Sequence, residues 1–406
     1  MKNKSENQFK REIFTQPKVL LECLEKYEEE KYRIIDETYD KFYQIHNQKV
    51  SKPIRKIVFI GIGTSYYAAL IAYQYLNENT IKNRTQIDCE VQDAGELLYF
   101  QTFNQNDDDI LLIFVSQSGE SGEIIEILNK LEKNRFPYKN IWCITNTKGS
   151  TLDKTAFHTM YMFAGEEQSV TNKTYLCSLL VIYILALTIE RSVTFTLSDI
   201  TINNLMIDLQ EEIKQIADAI QDIMDNWATL KVMLGNFLTL NSQKSSKGST
   251  EKAVPPAFIN YISRGTGLAT TGQAALNTKE VAKVYSESIS ISMFRHGCIE
   301  IINQDYRAVI ISNSPEDRNS VSKLIMNISR KWIGSNPGRV ILITNSENQA
   351  LSFEKDPNVL VFLHGIKNRF LCPIYEIVPI QAIFFTLAEL RGNVPGVFKF
   401  SSKITK

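Results

Sequence analysis

Charge of either sign is not in surplus in this chain. Lysine plus arginine (45) equals aspartate plus glutamate (45), and no concentrated basic stretch stands out, which argues against a nucleic-acid surface. Histidine is scarce: His46, His158, His296 and His364 are the whole set. The six cysteines (Cys23, Cys89, Cys143, Cys177, Cys298, Cys372) include no Cys-x-x-Cys pair. They nowhere join histidines at ligand spacing, so neither a disulfide scaffold nor a metal centre is expected. No cofactor is expected either, because the glycine-rich turn lacks both GxGxxG and the Walker lysine of dinucleotide and ATP loops. The N-terminus is polar and lacks the apolar core of a signal peptide. One apolar run, Tyr175 to Leu187, invites a membrane reading. It is shorter than the roughly 20 residues that span a bilayer and is flanked by Lys173, Glu190 and Arg191. The expectation is a cytoplasmic protein with reduced thiols and no membrane or nucleic-acid partner.

What is present is an ordinary globular balance, 44% hydrophobic and 22% charged over 406 residues, long enough for two or three domains. Pro17 to Asn47 has apolar residues at helical spacing (Leu20, Leu21, Leu24, Tyr27, Tyr32, Ile35) and reads as an amphipathic lead-in. Lys56–Ile60 is a continuous apolar run, as a strand buried on both faces would be. It ends in Gly61-Ile62-Gly63-Thr64-Ser65, and a helical pattern follows. Ile110–Val115 and Asn140–Asn146 repeat the theme, which makes the fold class α/β with a parallel sheet.

About 200 residues later the same three units return in the same order. Phe258–Gly267 echoes the first turn, Ala308–Ser314 the second strand, and Val340–Ser346 the third, so the chain reads as an internal duplication. The domains expected are an N-terminal helical segment (1–50), a first lobe (51–195), a helical connector with a polar loop (196–253), a second lobe (254–390) and a tail (391–406).

After the strand Ile110–Val115 comes Ser116-Gln117-Ser118-Gly119-Glu120-Ser121. In a parallel sheet this is the end that faces the ligand crevice, and the next helix starts there with unpaired N–H groups and a favourable dipole for an anion. Gly119 permits a tight turn, and three hydroxyls can converge on phosphate oxygens. A single serine would be accounted for as a helix cap. Three, with Thr64 and Ser65 at a neighbouring strand end, point to an anion cradle. Glu120 would repel phosphate if it pointed inward, and the sequence leaves its direction open. In the second copy the counterpart Ser312-Asn313-Ser314-Pro315 has lost the glycine, which assigns phosphate to the first lobe.

Gly61–Ser65, Ser116–Ser121, Thr145-Asn146 and Glu167-Gln168-Ser169-Val170-Thr171 together resemble the sugar isomerase (SIS) domain. From about residue 10 onward the chain resembles the tandem-SIS isomerase half of glutamine–fructose-6-phosphate aminotransferase and its relatives, which include amino-sugar-phosphate deaminases and fructosamine-phosphate deglycases. The resemblance implies two three-layer α/β/α lobes with parallel, flavodoxin-like sheets. It assigns sugar-phosphate contacts to Thr64, Ser116, Gln117, Ser118 and Ser121, with the Val170 backbone lining the sugar, and Gly63, Ser65 and Asn277 are expected to join them in binding the substrate. Ala275–Glu280 matches the family's catalytic helix and puts Glu280 at the enolising base. Phe294-Arg295-His296-Gly297 matches the segment of a ring-opening histidine that reaches into a neighbouring subunit's site, which implies a homodimer with shared active sites. Ser402-Lys403-Ile404-Thr405 resembles the loop whose lysine forms a Schiff base, with the tail lying over the site. Asn277 stands where the aminotransferase has a lysine, and no glutaminase segment precedes the lead-in, so glutamine hydrolysis is not expected.

The residues suit that chemistry. Aldose–ketose interconversion moves a proton between C1 and C2, which a partly desolvated carboxylate such as Glu280 can do. Ring opening needs a group that both gives and takes a proton, as His296 can. Lys403, with Lys399 and Lys406 as rivals, carries an amine able to attack an open-chain carbonyl. The expected function is therefore an isomerase, deaminase or transaminase-like enzyme acting on fructose 6-phosphate, glucosamine 6-phosphate or a fructosamine 6-phosphate. The alternative is a non-catalytic sugar-phosphate sensor, to which Asn277 lends weight.

Overall fold

The structure, a computed structural model, describes residues 7–47, 52–83, 87–194, 199–239, 254–330 and 336–400. They fall into two units, one within residues 15–217 and the other combining residues 7–14 with 218–399. The described part of the N-terminal helical segment expected over residues 1–50 thus divides: residues 7–14 group with the second unit, and residues 17–47 stay whole in the first. In the second unit Phe9, on the helix Gln8–Phe14, packs 6.0 Å from Phe384 and 6.5 Å from Phe385.

The first unit contains β1 (Lys56–Gly61), β2 (Asp88–Asp93), β3 (Ile110–Ser116), β4 (Ile141–Thr145) and β5 (His158–Tyr161). They form one sheet in the order β2-β1-β3-β4-β5, with every pairing parallel. The second unit contains β6 (Phe258–Ser263), β7 (Tyr285–Ser290), β8 (Arg307–Ser312), β9 (Arg339–Thr344) and β10 (Val359–Leu363). Its sheet runs β7-β6-β8-β9-β10, again all parallel. Counted within each lobe both orders are 2-1-3-4-5, the doubly wound flavodoxin-like arrangement that the α/β reading required.

The strands legible in the sequence are the inner ones. β1, β3 and β4 are buried almost throughout, as are β6, β8 and β9, because helices cover both faces of a parallel sheet. The edge strands β2, β5, β7 and β10 alternate or stay half-exposed, so no apolar run announces them.

Around the first sheet, the helix Lys173–Thr194 packs against both Gln16–His46 and Thr64–Asn83. The apolar run expected to fall short of a bilayer is in fact a 22-residue helix, long enough to cross one. Burial settles its place: it is almost wholly covered by protein, as is the other helix of such length and apolarity among the described residues, Cys372–Leu390. Both are core helices. In the second unit the buried Arg307 guanidinium donates to the carbonyls of Leu238, Thr239 and Gln304 at 2.9–3.2 Å, tying the helix Trp227–Leu238 to β8.

Candidate functional site in the two lobes

In the first lobe the phosphate-loop candidates gather at the carboxyl ends of β1 and β3, neighbours in the sheet with Ile60 opposite Phe114. Gly63 has φ +54°, and Thr64 and Ser65, both half-buried, open the helix Thr64–Asn83. Ser116 ends β3. Its Oγ accepts the Gly119 N–H at 3.1 Å, and Ser118 Oγ accepts the Glu120 N–H at 3.2 Å. A hydroxyl that accepts a backbone bond keeps its own proton to donate, so both buried serines retain a donor.

Ser121 occupies the N-cap position of the helix Gly122–Lys133 yet makes no side-chain cap bond. Ser150, by contrast, caps its helix by accepting from Asp153 N. Capping therefore does not account for Ser121. The Gln117 carbonyl is held by Asn146 N–H and Thr147 Oγ1 at 3.1 and 3.2 Å, which locks the loop to the end of β4.

Gly119 makes the turn possible. Its φ is +66°, and a Cβ there would lie 2.2 Å from Ser150 Oγ, so both backbone and space demand glycine. The direction of Glu120, open in the sequence, is now defined. Its carboxylate accepts from Thr151 N–H and Oγ1 at 2.7 and 2.9 Å. Those bonds hold its pKa below the ordinary carboxylate value and engage the charge with a neighbouring loop.

Val170 is fully buried, its carbonyl accepting from Asn172 Nδ2 at 2.9 Å. The buried Glu167 carboxylate accepts from Asn172 N, Thr174 N and Thr174 Oγ1 and so caps the helix Lys173–Thr194. A separate groove of about 900 Å³ beside β5 is lined by Glu25, Lys26, Arg33, Asn146, His158 and Gly165, without the serine loop.

In the second lobe the helix Gly267–Asn277 runs into a single π-helical turn, Thr278–Ala282, that carries Glu280. Such turns interrupt the regular ladder and recur at functional sites. The turn ends at Lys283, whose φ of +58° is unusual for a residue with a side chain. Lys283 Nζ donates to the Glu280 carbonyl and, at 3.0 Å, to Val397 O. Asn393 Nδ2 donates to Ala282 O at 3.0 Å, so residues 393–397 lie against the turn that bears Glu280.

Asn277 is fully buried, and its Oδ1 accepts from Gln273 Nε2 at 2.9 Å. His296 is exposed and follows the helix Ile291–Arg295, its N–H donating to Met293 O. Lys403 lies outside the described residues. Within this lobe Asn277 and Glu280 sit on one continuous element, whereas His296 stands on another.

No histidine joins a cysteine at ligand spacing along the chain, yet among the described residues the fold gathers one such group. His364, Cys372 and Glu376, all buried, each present a ligand-capable atom within 4.8 Å of the others. Sequence spacing hides this, because His364 leaves the end of β10 and only the fold returns Cys372 and Glu376 to it. The one legible signal was the i, i+4 pair Cys372/Glu376 at a helix start.

Comparisons with known proteins agree with these lobes. A family model described as SIS domain matches residues 52–188. The glutamine–fructose-6-phosphate aminotransferase [isomerizing] of Thermococcus kodakarensis is 26% identical over 341 residues, 84% of this chain and 50% of that protein. The chain spans about half the length of the curated relatives it matches. The C-terminal domain of the Francisella tularensis glucosamine-fructose-6-phosphate aminotransferase superposes with a TM-score of 0.77 at 18% identity, covering 98% of this chain and 99% of that one. The Escherichia coli tagatose-6-phosphate ketose/aldose isomerase does so with a TM-score of 0.67 at 17% identity, covering 97% and 95%. Residues 52–188 thus match a SIS domain, and nearly the whole chain is similar in fold to the C-terminal domain of a glucosamine-fructose-6-phosphate aminotransferase.

Proposed function

We propose that this chain binds a hexose 6-phosphate or amino-sugar phosphate and moves a proton between its C1 and C2, as an isomerase, deaminase or transaminase-like enzyme. The carrying observation is the Ser116–Ser121 loop, a glycine-turned run of hydroxyls with protons left to donate, at a helix N-terminus, in front of an N-cap serine that does not cap. That arrangement supports phosphate binding. The relatives named above support the reaction class.

In this reading Glu280 takes the proton from one carbon and returns it to the other. Its place on a π turn braced by residues 393–397 supports a positioned group rather than a solvated surface glutamate. His296 exchanges protons with the ring oxygen and the anomeric hydroxyl as the sugar opens. Its exposure supports a role in a second copy's site, hence a homodimer. Lys403 would attack the open-chain carbonyl and release water as the imine forms. We place the protein in the cytoplasm, where sugar phosphates are metabolised and where six cysteines outside any disulfide persist as thiols.

A second reading, a sugar-phosphate sensor, draws on Asn277, whose amide is already engaged by Gln273. One experiment separates the two. Calorimetric titration with fructose 6-phosphate and glucosamine 6-phosphate is paired with a turnover assay, on wild type and on Ser118→Ala and Glu280→Gln. The enzyme reading expects weaker binding for Ser118→Ala, and lost turnover with retained binding for Glu280→Gln. Binding by wild type with no turnover of any amino-sugar or ketose phosphate would favour the sensor. Binding unmoved by Ser118→Ala would overturn the phosphate loop.

A further inference from the structure

The carboxyl end of the second sheet holds a group of side chains for which the proposed reaction has no use. His364 directly follows β10, its N–H donating to Thr344 O at 3.0 Å. Cys372 and Glu376 lie one turn apart at the start of the helix Cys372–Leu390 and so share a face. A ring nitrogen of His364, the Cys372 Sγ and a Glu376 carboxylate oxygen all lie within 4.8 Å of one another. The residues are 5%, 0% and 0% exposed.

Two of these groups sit uneasily in a dry interior by themselves. Neither ring nitrogen of His364 has a hydrogen-bond partner among the described residues, where leaving a buried polar atom unpaired costs about 1–3 kcal/mol. Burial lowers its pKa to about 4, so at neutral pH the imidazole is uncharged and keeps a lone pair to offer. Glu376 accepts from Thr270 Oγ1 at 2.7 Å and Asn313 Nδ2 at 2.8 Å. Both partners are neutral, and burial still raises its pKa to about 7. Cys372 Sγ receives Asn345 Nδ2 at 3.9 Å and donates toward Ile366 O at 3.7 Å. Each carboxylate oxygen, having accepted one bond, keeps a lone pair free.

We propose that His364, Cys372 and Glu376 form a divalent metal site, with zinc the ion best suited to its nitrogen, sulfur and oxygen donors. The donor set matches that borderline ion. Thiolate and carboxylate bring two negative charges and the neutral imidazole none, so a dication leaves the buried centre uncharged. Bonds of about 2.0–2.3 Å to a tetrahedral ion put ligand atoms roughly 3.3–3.7 Å apart, so modest side-chain rotation closes the site. Asn313, Thr270 and Asn345 already brace the ligands from behind, as supporting residues do in metal centres. Three protein ligands leave a fourth position for water or a small anion.

The test uses the full chain and cobalt(II) as probe. Titration of metal-free protein should bind one equivalent per chain, with a near-ultraviolet thiolate-to-cobalt charge-transfer band, and zinc should displace the cobalt one for one. Cys372→Ser should abolish the band, and His364→Gln should weaken affinity by more than about tenfold. Cys298→Ser, which alters a half-buried thiol elsewhere, should leave the band intact. If Cys372→Ser does not fold, the isosteric Glu376→Gln carries the test through zinc affinity. The proposal fails if wild type takes up less than one equivalent without a thiolate band, or if the band survives Cys372→Ser. Sugar-phosphate binding enters none of these readouts, so failure here and failure of the proposed function are separate results.

Discussion

The two lobes share a sheet order and part company at one loop. In the first, β3 runs into a turn whose glycine has φ +66° and whose serines accept backbone bonds while keeping protons to give. In the second, β8 runs into Ser312-Asn313-Ser314-Pro315. The buried Asn313 spends its amide on Thr266 Oγ1 at 3.1 Å and on the Glu376 carboxylate. The donors that the proposed function gives the first lobe for an incoming phosphate are, in the second, committed to the protein's own Thr266 and Glu376. A shared architecture sets where a ligand can be held, and side chains at the strand ends set which ligand.

The largest expected effect separates the lobes by kinetics. Glu280→Gln in the second lobe should lower kcat by about 10²–10⁴-fold, the usual worth of a positioned acid–base group, with KM little changed. Ser118→Ala in the first should do the reverse, raising KM with kcat nearly retained. Steady-state kinetics on both variants checks the split, and equal effects on both constants would break it.

The next effect contrasts two buried histidines. His158 Nε2 meets Thr38 Oγ1 at 2.8 Å, and Lys41 Nζ reaches its Nδ1 at 3.2 Å, whereas His364 has no such partners. Because the Thr38 hydroxyl donates to Ile34 O, it accepts from Nε2–H, and Nδ1 accepts from Lys41. Burial first, then Lys41, lowers the His158 pKa from 6.5 to about 3. The folded state therefore binds fewer protons than the unfolded one in that range. Stability contributed by neutral His158 is complete above pH 6.5 and is lost as pH falls toward 3, by roughly 4 kcal/mol. Urea melts of His158→Gln against wild type between pH 7 and 4 should show a flatter acid limb in the variant.

Smaller still is Gly119→Ala. The positive φ and the clash with Ser150 should cost about 1–3 kcal/mol, measurable as a lower thermal midpoint, and should weaken sugar-phosphate binding. Gly265, also at positive φ but with nothing within 4 Å of a built Cβ, should tolerate alanine better. The smallest effect expected is that of Glu120→Ala. Its carboxylate is spent on Thr151 at the surface, so sugar-phosphate affinity by calorimetry should stay the same or rise slightly.

The fold was legible because burial on both faces leaves a signature. Ile57–Ile60, Leu111–Val115 and Ile341–Ile343 are apolar without interruption and fully covered. Their edge neighbours were not, because Asp88–Asp93 and Tyr285–Ser290 keep one side half open and carry polar residues there. The serine loop was legible for a similar reason: its chemistry is contiguous in the chain. The exchange of Phe9 into the second unit was not, since nothing local distinguishes the helix Gln8–Phe14 from the helix that follows.

By itself the sequence determined the α/β class, the three inner strands of each lobe and the hydroxyl-rich turn after β3, all features carried by neighbouring residues. Tertiary structure alone decided that Ser121 does not cap, that Glu120 turns to Thr151, that Glu280 stands on a π turn braced from residues 393–397, and that His364 meets Cys372 and Glu376. Those outcomes depend on atoms brought close from distant positions, where a hydrogen bond or a desolvated charge is governed by distances of a few ångströms that no local pattern encodes.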